Sequence, residues 1–491
     1  MSALRLYGAL RSCVGGAQTI TVQAATIAEL RRAIAEGYPE LGARVLRDGG
    51  FGSFVTVFVD GEDARFIAPD ADISGARTIE MLPAMSGGAA LARSPLDEMA
   101  GREIYGSFVD ETIGILARAA PGTISFAVGS PAAEVLALAD AAGLAAAVLE
   151  REGAAALGYG ITEGDPELRE IVADAARGRG IRADVRDVII TAGALQAVDI
   201  ACRLFVSPGD LVVAESPGFA NALSALRNHG ARVLEIPVDE DGIDVAAAER
   251  ALRARGERPV LFFVVPSFQN PTGATLALQR REALLALARR YGAVVVEDDP
   301  YRELRFRGEP LPPLAALDGG VISIGSFSKT FLPGIRVGWA IADAGTVRRM
   351  AAAKQTMDSS TSTLGQRLVV EFHRRGGSDA HLGALRALYR ERGERARAAL
   401  AREFADAAEV RWTDPEGGFY LWVRLGTDVS ARRLLEAGLA EGVAFVPGDA
   451  FTITGDFTSA LRFSYSWPTC DRIDEGVRRL RRAYDRVRRD H

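Results

Sequence analysis

The sequence predicts an α/β fold with a mostly parallel central sheet and a smaller flanking domain, preceded by a separate α+β unit. Three observations carry this prediction. From Gly101 onward, short apolar runs alternate with helical patterns, the order a doubly wound sheet requires. Several of those runs, such as Leu261–Val265 and Val294–Val296, are continuously apolar, as strands buried on both faces read. Residues 3–82 instead show alternating runs, one helix and further strands, the order of a small α+β unit.

In that first unit, Leu4-Arg5-Leu6-Tyr7 and Thr19-Ile20-Thr21-Val22 alternate like the arms of a hairpin. Thr26 caps a helix through Ile34, with Glu29 three residues on. Val55–Val59 is a strand ahead of an Asp60-Gly61 turn. The unit runs out in Thr78-Ile79-Glu80-Met81-Leu82-Pro83-Ala84-Met85-Ser86-Gly87-Gly88, and residues 89–100 read as a linker. Beyond it, strands are predicted at Val188-Ile189-Ile190, Leu211-Val212-Val213, Val233–Ile236, Leu261–Val265, Val294–Val296 and Ile322-Ser323-Ile324. Residues from about 101 to 150 and from about 360 to 491 make the smaller domain around a centre of about 151–359.

Composition narrows the function classes. A chain of 491 residues, 48% hydrophobic and 25% charged, is globular and long enough for several domains. A net charge of −6 argues against a general nucleic-acid binder, and the arginines of 478–489 are interspersed with Leu480, Tyr484 and Asp485 like a solvated helix face. Three scattered cysteines, Cys13, Cys202 and Cys470, suit neither a disulfide framework nor a metal knuckle, so a reducing, cytoplasmic setting is expected. The amino terminus lacks a basic segment followed by a long apolar core, and Glu134 and Asp140 interrupt the Ala/Leu-rich stretch 132–149; neither a signal peptide nor a membrane span is expected.

Polar residues follow three of the apolar runs. Asn270 lies in Gln269-Asn270-Pro271-Thr272-Gly273, Asp298 in Glu297-Asp298-Asp299-Pro300-Tyr301, and Lys329 in Ser326-Phe327-Ser328-Lys329-Thr330. Singly, these are a turn former, a helix cap and a solvated charge. Together they fall at the carboxyl ends of parallel strands, where α/β proteins gather their ligands. A nucleotide-phosphate loop is excluded at Lys329 because Ser328 stands where the glycine before the lysine is expected.

With the trailing Arg336, Gly417-Gly418-Phe419 and Leu461-Arg462-Phe463-Ser464-Tyr465, these motifs occur in an order that resembles the fold-type I aminotransferases using pyridoxal 5′-phosphate, in the branch with the α-aminoadipate and kynurenine enzymes. The resemblance covers about Gly101 to the C-terminus. It implies a transamination between an amino acid and a 2-oxo acid. Lys329 would carry the cofactor and move the proton, Asp298 would pair with the ring nitrogen, and Tyr301 and Asn270 would bond its phenolic oxygen. Arg336, Ser326, Ser328 and the helix start at Ala194 and Leu195 would bind the phosphate, with backbone donors alone at Ala194, where a hydroxyl residue is often seen. Phe219 would stack on the ring, Arg462 would grip the substrate α-carboxylate, and Gly129 would allow a close backbone approach to substrate. Tyr159, in Gly158-Tyr159-Gly160, resembles the tyrosine that reaches a neighbouring subunit's phosphate, which implies a homodimer. Relatives preferring acidic substrates carry an arginine in the helix before the Phe126 strand; neither candidate here, Arg102 or Arg118, can be aligned with it.

The segment Leu4–Gly88 resembles the ubiquitin-like, β-grasp sulfur carriers, especially the small subunit of molybdopterin synthase. In that family the terminal glycine is activated to a thiocarboxylate, which implies a sulfur-activating enzyme or tail protease as partner. Here the chain continues past Gly88, so Gly87-Gly88 is open to two readings, a processed carrier tail or the start of a flexible linker. The fusion also leaves open an elimination or replacement reaction using carrier-derived sulfur, and a role for the first unit as a sulfur-donor or docking module. Intact-mass analysis from the native host separates the two tail readings. A working carrier yields a fragment ending at Gly88, with one sulfur in place of one oxygen in its activated form; only full-length chain under active conditions rejects processing.

Overall fold

The computed structural model describes residues 2–47, 50–52, 55–60, 62–64, 67–76, 78–83, 104–107, 109, 114 and 120–489. Two compact units emerge, Met1–Glu103 and Ile104–His491. Gly87, Gly88, the linker 89–100, Arg102 and Arg118 lie outside the described residues.

In the first unit, β1 (Ser2–Leu6) and β2 (Thr19–Val22) form the antiparallel hairpin, followed by helices Ile27–Gly37 and Pro39–Val45. A short hairpin of β3 (Leu46–Arg47) and β4 (Gly50–Phe51) leads to β5 (Val55–Val59), β6 (Glu62–Asp63) and β7 (Ile79–Pro83). The sheet order is β2-β1-β7-β5-β6, with β1 parallel to β7. Leu4, Leu6, Ile20, Val57 and Met81 turn inward onto Ile27, Leu30 and Ile34, so one face of each element builds the core. The helix extends three residues past Ile34, to Gly37, and its start is capped as expected. The Glu29 N–H donates to Thr26 Oγ1 at 3.2 Å, and the Glu29 carboxylate accepts from the Ala25 N–H at 2.8 Å.

The second unit is built on an eight-stranded sheet of β9 (Val188–Thr191), β10 (Leu211–Ser216), β11 (Arg232–Asp239), β12 (Gly242–Ile243), β13 (Pro259–Val264), β14 (Val294–Asp298), β15 (Val321–Ser326) and β16 (Gly338–Ile341). Their order is β12-β11-β10-β13-β14-β15-β16-β9. Neighbours from β11 to β15 run parallel, while β16 is antiparallel to both β15 and β9. The six expected runs are thus all strands, and β16 joins them. Apolar cores lie on both faces, which is why β10 and β15 are buried at every position.

Beyond the sheet, β17 (Arg411–Trp412), β18 (Tyr420–Arg424), β20 (Val446–Pro447) and β21 (Ala460–Ser464) form a second, antiparallel sheet. Residues Ile124–Ser125 (β8) pair with Val443–Ala444 (β19), tying the start of this unit to its carboxyl-terminal part. Among the described residues, no helix is long and apolar enough to cross a membrane.

Removing the Thr26 cap exposes a donor that the first helical turn cannot satisfy. Thr26→Ala should destabilise that helix by about 1 kcal/mol, read as faster amide exchange across Ile27–Gly37 with no change in the helix Ala194–Phe205.

Candidate active site

Chain direction decides where the chemistry sits. Because β9, β10, β13, β14 and β15 share one direction, the segments after them emerge at one edge of the sheet. β9 delivers the turn Ala192-Gly193 and the helix from Ala194, β10 delivers Phe219, β13 delivers Asn270, β14 ends on Asp298, and β15 leads into Ser328 and Lys329. They surround a cavity of about 330 Å³, to which Gly129, Leu195, Tyr301, Ser326, Arg336 and Arg462 also contribute. Tyr159 is apart from it, 95% exposed.

The cavity holds charges without their usual compensation. Asp298 is buried, and its Oδ1 has no hydrogen-bond partner. Burial, reinforced by Asp299 and opposed by Lys329, pushes its carboxyl up to about 7. Lys329 Nζ donates to the Gly129 carbonyl at 2.7 Å, and burial lowers its pKa, with Arg462 and Arg336 acting in the same direction. Tyr301 is raised well above the phenol range, first by burial and then by Tyr420, whose hydroxyl lies 3.1 Å from its own.

Arg462 is buried on β21, donating to Asn270 Oδ1 at 3.0 Å and to the Ala127 carbonyl at 2.6 Å. Its guanidinium lies over the Tyr420 and Phe451 rings, 4.5 and 5.1 Å from their centroids. Its Nε has no hydrogen-bond partner. The equally buried Arg281 is different: Leu276, Pro312 and Pro266 carbonyls take up its donors. Arg281 is finished internally, whereas Arg462 is built to receive an anion, a carboxylate being the planar match to its fork.

At the opposite end, the helix Ala194–Phe205 begins after Gly193, whose φ is +88°. That left-handed backbone is what calls for glycine, and a Cβ there would also lie 2.4 Å from Arg336 Nη2, the movable end of its side chain. Arg336 donates to the Ala192 carbonyl at 3.1 Å, and the Ser326 hydroxyl donates to that of Ser328 at 2.9 Å. A helix amino end, an arginine and two hydroxyls together are a donor set whose chemistry suits a phosphate dianion.

Tyr420 escaped the sequence reading although it directly follows Gly417-Gly418-Phe419. It explains Gly129, since a Cβ there would fall 2.2 Å from the Tyr420 hydroxyl oxygen. Glu215 was missed too. It is buried, accepts from the Val265 N–H and the Gln269 amide at 3.2 Å each, and burial pushes its carboxyl up to about 8. Gln269 in turn accepts from Thr272 and holds the Asn270 turn.

Residues 122–480 match the family model for aminotransferase class I and II, and residues 4–88 match that of the ThiS family. A 2-aminoadipate transaminase of Thermus thermophilus is 41% identical over 389 residues, covering 78% of this chain and 95% of the relative. An aromatic-amino-acid aminotransferase of Thermococcus litoralis is 36% identical, covering 73% and 87%. Among solved structures, the α-aminoadipate aminotransferase of Thermus thermophilus complexed with N-(5′-phosphopyridoxyl)-L-leucine superposes with a TM-score of 0.73 at 39% identity, covering 80% of this chain and 98% of that one. The kynurenine aminotransferase of Pyrococcus horikoshii superposes with a TM-score of 0.74 at 33% identity, covering 81% and 99%.

Asp298 also gives the ligand-free protein a pH signature. Its folded pKa of about 7 exceeds the ordinary 3.8, so the proton is held more tightly in the folded state. The resulting stability is fully present below the ordinary value and is lost as pH rises through the folded one. The melting temperature of ligand-free Asp298→Asn, relative to the parent, should therefore be higher at about pH 8 than at about pH 5; an equal difference at both contradicts the assignment.

Proposed function

The chain belongs to the class I and II aminotransferases, and from its cavity we propose which of its residues carry out the pyridoxal-phosphate-dependent transfer of an amino group between an amino acid and a 2-oxo acid. The observation that carries the assignment is one cavity lined together by Lys329, Asp298 with its unpartnered Oδ1, and Arg462 with its unpartnered Nε. The donor set fits the cofactor. Its phosphate would be held by Arg336, Ser326, Ser328 and the backbone donors at Ala194 and Leu195, its ring nitrogen by Asp298, its face by Phe219, and its phenolic oxygen by Asn270 and Tyr301. When bound, pyridoxal 5′-phosphate supplies a sink for the electron pair left as the substrate Cα–H bond breaks.

The protein's own residues do the rest. Asp298 is costly to ionise in its dry setting, and a cationic partner would relieve that cost, so its carboxylate would favour a protonated ring nitrogen. Lys329 is biased toward the free amine by burial, and its Nζ can take a proton from one atom and return it to another. Arg462 orients the amino acid through its α-carboxylate, with Asn270 fixing one arm of the guanidinium. Tyr420 packs its hydroxyl against Gly129, leaving no room for a side chain at that position. Two copies of the chain would complete the site, with the exposed Tyr159 of each offered to the other's phosphate.

Residues 1–88 would constitute a carrier-like domain, 89–100 a linker and 101–491 the aminotransferase. The ThiS-family match ends at Gly88, the second glycine of the pair, which supports a sulfur-activating enzyme or tail protease as a further partner.

Lys329→Ala should abolish borohydride-trappable attachment of the cofactor; a reducible adduct on another lysine would show the assignment to be wrong. Arg462→Ala should leave attachment intact and lower kcat/KM by about 2–5 kcal/mol, read from single-turnover rates at low amino-acid concentration.

A further inference from the structure

Behind the phosphate-binding end runs a chain of polar contacts to which nothing above gives a role. Lys354, on the helix Ala344–Gln355, is fully buried, and its ammonium donates to Asp358 Oδ1 at 2.8 Å. Asp358 Oδ2 accepts from Gln196 Nε2 at 2.9 Å, and Gln196 Oε1 accepts from the Ala192 N–H at 2.7 Å. The Ala192 carbonyl is the one Arg336 donates to.

We propose that Lys354, Asp358 and Gln196 are positioning residues that set the backbone turn Ala192-Gly193, and through it the affinity for the cofactor's phosphate. The inference rests on the pyridoxal-phosphate reading of the cavity. Three physical points support it. A side-chain amide can present either end, but a carboxylate only accepts; Asp358 therefore turns Nε2 toward itself and leaves Oε1 for Ala192. An ammonium buried at 0% exposure is expensive where a methionine of similar length would pack without the penalty, so filling space alone does not account for it. Its task is to hold Asp358 as the acceptor. Finally, Arg336 Nη2 donates to the Ala192 carbonyl at 3.1 Å, so a shift of the turn moves an acceptor that holds the guanidinium. Because residue 194 is alanine, that position offers only its backbone donor, which directly follows the turn the relay holds.

The test compares affinities of the cofactor-free protein for pyridoxal 5′-phosphate and for pyridoxal, which lacks the phosphate. Full-length Gln196→Met, Asp358→Ala and the double variant are titrated by absorbance, with melting temperatures recorded in parallel. Gln196→Met should weaken pyridoxal 5′-phosphate about tenfold, and Asp358→Ala several-fold, while pyridoxal binding changes less than about twofold. If the residues act in series, the double variant should be no weaker than Gln196→Met alone. Should Asp358→Ala fail to fold, Lys354→Met replaces it and is judged by the same ratio. Parallel losses for both ligands, or fully additive losses in the double variant, overturn the relay. A parent protein that does not prefer the phosphorylated ligand overturns the underlying reading instead, so the two failures are distinguishable.

Discussion

A guanidinium and a carboxylate buried without full satisfaction, Arg462 and Asp298, are the constraint on which the second unit depends. Leaving a buried charge unpaired costs roughly 3–5 kcal/mol, a large part of the net stability of an ordinary domain. The expense can be carried because the surrounding scaffold is over-determined. Arg462 sits on a fully buried strand, is held by Asn270 and Ala127, and is sandwiched by Tyr420 and Phe451. Asp298 ends a strand paired on both sides. Neither side chain can leave for water, so each stays complementary to a ligand.

That arrangement also accounts for the chemistry. A lysine beside a carboxylate in water would remain an ammonium, but here desolvation and two arginines favour the free amine. The same dryness raises Asp298 and Tyr301. One physical cause thus shifts the three groups proposed as base, ring-nitrogen partner and phenolic donor, and sequence changes that admit water would disturb all three together.

Much of this was legible in the sequence because it is local. Continuous apolar runs announced the parallel strands, and the polar residues that follow them needed only the strand direction to be gathered at one edge. Thr26 and Glu29 announced a helix start for the same reason. What was not legible depends on distant pairs. Tyr420 matters through Tyr301, 119 positions away, and through Gly129. Gln196 matters through Asp358, 162 positions away. The strand Gly338–Ile341 is short and begins with glycine, and it is held by pairing on both edges rather than by its own pattern. Glu215 reads as a surface acid at the end of an apolar run, and only the packed sheet shows it buried.

Transfer of an amino group in this cavity is the reaction on which every residue role above depends. The most direct measurement is a single turnover of the purified full-length chain, reconstituted with pyridoxal 5′-phosphate and mixed in turn with a panel of amino acids. The cofactor spectrum and the released small molecules are followed together. The account predicts, for at least one amino acid, stoichiometric 2-oxo acid with the nitrogen retained on the cofactor, and regeneration of the original spectrum on adding a second 2-oxo acid. Release of free ammonia or sulfide, with no aminated cofactor formed, would contradict it.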